Sequence, residues 1–312
     1  MRPRFSGLLA AVHTPLRPDG GLNLDLIGDV VDHHLRQGLS GIMPCGTTGE
    51  GPLLTTEERR SVAAAYVEAA RGRLPVIVHV GHSSVREARE LAAHAQRVGA
   101  QAVAALSPWY VKPATVEGLV ESCAEIAAGA PELPFYYYHI PSMTGVALPM
   151  TQFLEQAGRR IPTLAGIKYT APTVHEFQAC AALEEGRWET LFGVDEMLLS
   201  GLAAGATAAI GSTYNFAAPL YRRLWDAFGR GDLDEARACQ QRSIEMVEVI
   251  FKHGNQPAIK AIMKLVGLDC GPSRLPYASL SAGEVVELER DLRAIGFFEW
   301  ARIEAMRLWP AS

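Results

Sequence analysis

A chain of 312 residues, 48% apolar and 20% charged, is long enough for one barrel-sized domain and has an ordinary globular profile. A formal net charge of −5, with no basic block and no aromatic–basic stripe, argues against a nucleic-acid partner, and no apolar run is long enough to span a bilayer. The five cysteines (Cys45, Cys123, Cys180, Cys239 and Cys270) are odd in number, widely spaced and free of any C-x-x-C pair, so they read as reduced thiols of a cytoplasmic protein.

From the N-terminus, Arg2 and Arg4 precede a short apolar stretch with no small-residue cleavage pattern, which reads as a first strand and not as a signal peptide. Strand-like apolar runs are expected at 8–12, 41–44, 75–80, 102–106, 134–138, 164–168, 190–193 and 206–210. Between them lie helix-like segments, such as the one carrying Leu24, Ile27, Val31 and Leu35. Thr55-Thr56-Glu57-Glu58 predicts a helix start in which Thr55 caps and Glu58 reaches back. Strand–helix alternation calls for parallel pairing, and eight such units close most naturally into a (β/α)8 TIM barrel; a doubly wound open sheet is the alternative. We expect the barrel core over 1–212. The helices of 213–312, including the last barrel helix, should pack upon it, with helices at 233–251, 257–266 and 282–295 and a Gly/Pro-rich loop at 268–276.

Functional residues of a barrel sit at the C-terminal ends of its strands. Lys168 ends the run Leu164-Ala165-Gly166-Ile167-Lys168, a single charge at the tip of a buried strand. Burial disfavours the charged form of an ammonium, and a neutral amine is a nucleophile for carbonyls; a lysine snorkelling into water is the bland alternative. After the second strand, Cys45-Gly46-Thr47-Thr48-Gly49-Glu50-Gly51 combines hydroxyls with glycine-exposed N–H groups. It suits a carboxylate or phosphate, or is an ordinary Gly-rich turn; it is neither a P-loop nor a G-x-G-x-x-G fingerprint.

The fifth strand ends Phe135-Tyr136-Tyr137-Tyr138-His139. Alternation puts Tyr136 and Tyr138 on one face and Tyr137 on the other, so only one of the three need be chemical. Asp195-Glu196, after the seventh strand, either binds hydroxyls or a metal or simply starts a helix favourably. The pair His33-His34 does not share a helix face, and His79 and His82 lack zinc-type spacing, so a metal is not expected. The absence of G-x-S-x-G leaves a serine-hydrolase reading without support.

Taken together, Gly46-Thr47-Thr48-Gly49-Glu50, Tyr138 before His139-Ile140-Pro141, Gly166-Ile167-Lys168 and Gly211-Ser212-Thr213-Tyr214-Asn215 resemble the dihydrodipicolinate synthase / N-acetylneuraminate lyase family of pyruvate-dependent class I aldolases. The similarity runs from Gly7 through the helical tail. It implies that Lys168 forms a covalent imine with a 2-keto acid and that Thr47 and Thr48 hold the substrate carboxylate. Tyr138 then relays a proton, and no metal or organic cofactor is needed. The resemblance also implies substrate contacts from Thr170, Gly193, Asp195, Glu196 and Ser212, a homotetramer, and a cross-subunit role for Tyr110. Dihydrodipicolinate synthases carry an arginine where this chain has Met143, and methionine cannot bind an aldehyde partner's carboxylate. The lyase branch is therefore expected, with reversible cleavage of N-acetylneuraminate to N-acetylmannosamine and pyruvate. The alternatives are another family aldolase or dehydratase acting on a 2-keto-3-deoxy sugar acid, dihydrodipicolinate synthesis, and a non-catalytic keto-acid-binding barrel.

Overall fold

The computed structural model describes residues 5–301; Arg2 and Arg4 lie outside them. Eight strands alternate with helices: β1 Gly7–Ala11, β2 Gly41–Met43, β3 Ile77–His79, β4 Ala102–Ala105, β5 Phe135–His139, β6 Leu164–Tyr169, β7 Glu189–Phe192 and β8 Ala208–Gly211. Every pairing is parallel, in the order β2-β1-β8-β7-β6-β5-β4-β3. A parallel bridge between Ile42 and Val76 joins the two ends of that order and closes the barrel. Closure removes the open edges that the alternative doubly wound sheet would have kept.

The side-chain alternation of the strands divides the core in two. Leu9, Met43, Ile77, Ala104, Tyr136, Tyr138, Ala165, Leu191 and Ile210 form one cluster inside the barrel. The opposite faces, with Ile42, Val78, Val103, Tyr137, Ile167 and Phe192, pack outward against the helices. The tyrosine run follows this rule residue by residue. Tyr137 points outward onto Phe153, with ring centroids 4.7 Å apart. Tyr136 points inward and donates its hydroxyl to Glu189 at the start of β7, at 2.9 Å. Tyr138, two residues further along, faces inward at the C-terminal end.

Helix starts follow local chemistry. Thr55 caps Thr56–Ala70 in a full capping box with Glu58, as expected, and Ser281 with Glu284 does the same for Ala282–Ala294; each such cap is worth about 1 kcal/mol. After β8 the chain continues as helices Tyr214–Gly229, Leu233–Lys252, Gln256–Leu265 and Ala282–Ala294. The first two pack side by side, and the third contacts both of them and Ala282–Ala294. This extension lies against the C-terminal mouth of the barrel: Gln256 reaches the loop after β2, and Gln240 and Ser243 reach the loop after β7.

Candidate active site

The mouth of the barrel encloses a cavity of about 540 Å³. Thr47 and Thr48 line it from the loop after β2, Tyr138 from β5, and Lys168 and Thr170 from β6 and its end. Gly193, Asp195 and Glu196 follow β7, and Ser212 follows β8. Nine residues singled out from the sequence thus share one space, although they come from five different βα units. Tyr110 does not join them. It is 87% exposed, next to Val111 at 79%.

Lys168 and Tyr138 are register partners on adjacent strands. Parallel neighbours in register project their inward side chains side by side, so the lysine Nζ stands 4.0 Å from the centroid of the phenol ring. Lys168 is 3% exposed, and no hydrogen bond or ion pair engages its Nζ among the described residues. The His79 and Tyr138 rings pack edge to face, with centroids 5.7 Å apart. His79 Nδ1 donates to the Cys45 carbonyl at 3.0 Å. Burial, and then the charge of Arg59, hold this imidazole well below the usual histidine range, so it packs as a neutral ring.

The acids follow β7, the strand next to β6 on the side away from β5. Asp195 is buried, and its Oδ2 accepts both the N–H (2.9 Å) and the hydroxyl (2.6 Å) of Thr213. The Thr213 hydroxyl is bonded in turn to Tyr221 at 2.6 Å. Among the described residues, Asp195 Oδ1 has no hydrogen-bond partner, and neither does Thr170 Oγ1. Burial raises the Asp195 carboxyl above the usual range, opposed by the Thr213 bonds and the charge of Lys168. Glu196 is raised first by burial and also by the charge of Asp195. Two glycines make room for these groups. A Cβ on Gly193 would collide with Thr170 Oγ1, and one on Gly211 with Asp195 Oδ1.

Met143 sits at the rim, 55% exposed and lining the same cavity. An apolar side chain therefore occupies that part of the rim. Sequence reasoning missed the wall supplied by the C-terminal extension, where Val247, Phe251, Gln256 and Ile259 line the cavity. The apolar spacing of helix Leu233–Lys252 gave no hint of which barrel end it covers.

His33 and His34 are structural. His33 donates to the Asn215 carbonyl at 2.7 Å and His34 Nδ1 to the Val30 carbonyl at 2.6 Å. Burial pushes their imidazoles down to about 4 and about 3. Among the described residues no group of three or more His, Cys, Asp or Glu is placed to hold a metal ion.

A closed parallel barrel with a lone buried lysine at the tip of β6, a phenol against it and hydroxyls nearby has the layout of an imine-forming barrel enzyme. Residues 4–295 match the dihydrodipicolinate synthetase family, and the chain belongs to that family. It is 39% identical over 301 residues to the N-acetylneuraminate lyase of Mus musculus, covering 95% of this chain and 94% of the relative. The structure of Proteus mirabilis N-acetylneuraminate lyase superposes with a TM-score of 0.92 at 40% identity, covering 95% of this chain and 100% of that one. A catalytic-lysine mutant of Ruminococcus gnavus sialic acid aldolase superposes with a TM-score of 0.88 at 27% identity, covering 97% and 99%.

Proposed function

We propose that the protein is a Schiff-base aldolase that cleaves N-acetylneuraminate reversibly to N-acetylmannosamine and pyruvate. The observation that carries this reading is the meeting, in one cavity, of a buried lysine beside a phenol and an acidic wall with a carboxylate oxygen, the lysine Nζ and that oxygen both without a hydrogen-bond partner among the described residues. The lysine supplies the chemistry common to keto-acid aldolases, and the acidic wall supplies the taste for a polyhydroxylated substrate. The identity to named lyases over nearly the full chain supports the same choice.

In this mechanism the Lys168 amine attacks the C2 carbonyl of the open-chain keto acid, water leaves, and an iminium forms. Thr47 and Thr48 receive the neighbouring C1 carboxylate and so hold C2 against the amine. The C3–C4 bond then breaks, and its electron pair flows into the iminium as an enamine. The C4 hydroxyl, becoming an aldehyde, gives up its proton through Tyr138. Protonation of the enamine at C3 and hydrolysis of the imine release pyruvate and restore the lysine. The iminium is the electron sink, so no external cofactor enters. Sugar hydroxyls donate to the carboxylates of Asp195 and Glu196, while Thr170, Gly193 and Ser212 border the same cavity.

The same reading makes the working form a cytoplasmic homotetramer in which Tyr110 meets a neighbouring subunit. Exposed Tyr110 and Val111 and five buried free cysteines are consistent with it. Purified protein should be offered sialic acid, shorter 2-keto-3-deoxy sugar acids, and pyruvate with aspartate semialdehyde. The highest kcat/KM is expected for sialic acid. Turnover of the semialdehyde pair alone would show that the apolar rim at Met143 has been misjudged.

A further inference from the structure

Helix Gln256–Leu265 presents two buried polar side chains one turn apart on the same face, Gln256 and Lys260. Gln256 Nε2 donates to the backbone carbonyl of Thr48 at 2.8 Å. Lys260 Nζ donates to Glu50 Oε1 and to the Pro272 carbonyl, both at 2.7 Å. The other Glu50 oxygen accepts the backbone N–H of Arg274 at 2.6 Å, and the Arg274 guanidinium forks onto Glu58 at 2.6 and 2.7 Å. All of this converges on a turn in an uncommon conformation. Cys45 and Glu50 both have positive φ, 62° and 54°, which side chains adopt only when their surroundings insist. The next residue must be glycine, because a Cβ on Gly51 would overlap the Cys45 carbonyl.

We infer that Gln256, Lys260 and Glu50 are positioning residues for the keto-acid end of the site. They fix the Thr47–Glu50 turn from the C-terminal extension, and so aim the hydroxyls of Thr47 and Thr48. The inference rests on the proposed role of those two threonines as the carboxylate cradle. Desolvation cancels much of what a buried ion pair contributes relative to apolar packing. What the pair does impose is direction: Lys260 has its charge bonded to Glu50 Oε1 and a carbonyl, Glu50 has both oxygens bonded, and the turn cannot rotate without breaking one of these contacts.

The test is the pyruvate concentration that half-saturates borohydride trapping at Lys168, measured beside Tm. Gln256→Ala should raise that concentration about three- to tenfold, the worth of one hydrogen bond, while trapping at saturating pyruvate stays near wild type. The charge-balanced double variant Glu50→Gln/Lys260→Met should fold and show a similar rise. If both variants lose only Tm and keep the wild-type half-saturating concentration, these residues merely brace the barrel and the inference is wrong. Thr48→Val serves as the control. If it too leaves half-saturation unchanged, the cradle reading itself fails; if it raises half-saturation and the other two variants do not, only the positioning inference fails.

Discussion

Lys168, at the tip of β6, and Lys260, on helix Gln256–Leu265 of the C-terminal extension, are both 3% exposed. Lys260 has a carboxylate and a carbonyl at 2.7 Å. Among the described residues, Lys168 has the face of a phenol at 4.0 Å and the field of Asp195, but no hydrogen-bonded or ion-paired partner for its Nζ. A buried ammonium without a counter-ion is costly to keep, so the fold gains little from Lys168, whereas Lys260 joins two segments more than two hundred positions apart. The difference teaches how to read a buried charge. When its valences are filled by protein, it holds the fold; when they are left open toward a cavity, it is available to a substrate.

Replacing each lysine should therefore fail in a different way. The largest effect is expected from Lys168→Ala, which should abolish turnover and pyruvate trapping while the far-ultraviolet circular dichroism stays native. Next, Tyr138→Phe keeps the ring beside His79 and the lysine but removes the hydroxyl proposed to carry the proton. Its kcat should fall by about 10²–10⁴, with imine formation from pyruvate affected less than cleavage. A near-normal kcat would return Tyr138 to the packing role that Tyr136 and Tyr137 already have.

Lys260→Met should strand the Glu50 charge and cost about 3–5 kcal/mol in denaturant unfolding. Glu50→Gln/Lys260→Met should recover most of that loss, and Lys168→Met should stay within about 1 kcal/mol of wild type. Equal destabilisation by the two lysine variants would erase the contrast between them. Smaller still, Asp195→Asn can keep its oxygen on Thr213 while turning an amide toward the cavity. Handling of sialic acid should weaken by about 1.5–3 kcal/mol in kcat/KM, with pyruvate trapping unaffected. Equal loss for both substrates would make Asp195 a brace of the barrel alone. At the bottom of the scale, exhaustive chelation should leave turnover unchanged, because the iminium supplies the electron sink; a loss restored by a divalent ion would contradict this chemistry.

Much of the fold was legible because its signals are local. The eight apolar runs mark the strands to within two or three residues, the Thr55–Glu58 box marks its helix start, and period-two alternation sorts Tyr136, Tyr137 and Tyr138 correctly. The barrel rule then gathers nine dispersed residues to one mouth, since each lies at or just past a strand's C-terminal end. Asp195 was legible only in part. A sequence can suggest that a carboxylate meets sugar, but not that one of its oxygens is already taken by Thr213. The contacts Gln256–Thr48 and Lys260–Glu50 were not legible at all. Their partners are 208 and 210 positions apart, and no periodicity or spacing encodes a pairing made only when the extension docks.

The most direct measurement is peptide mapping by mass spectrometry after the wild-type protein is incubated with pyruvate and borohydride. One stable adduct is predicted, on the peptide carrying Lys168, with Lys260 unmodified. An adduct on Lys260 or another lysine, or none at saturating pyruvate, would contradict the assignment of the open-valence lysine as the nucleophile.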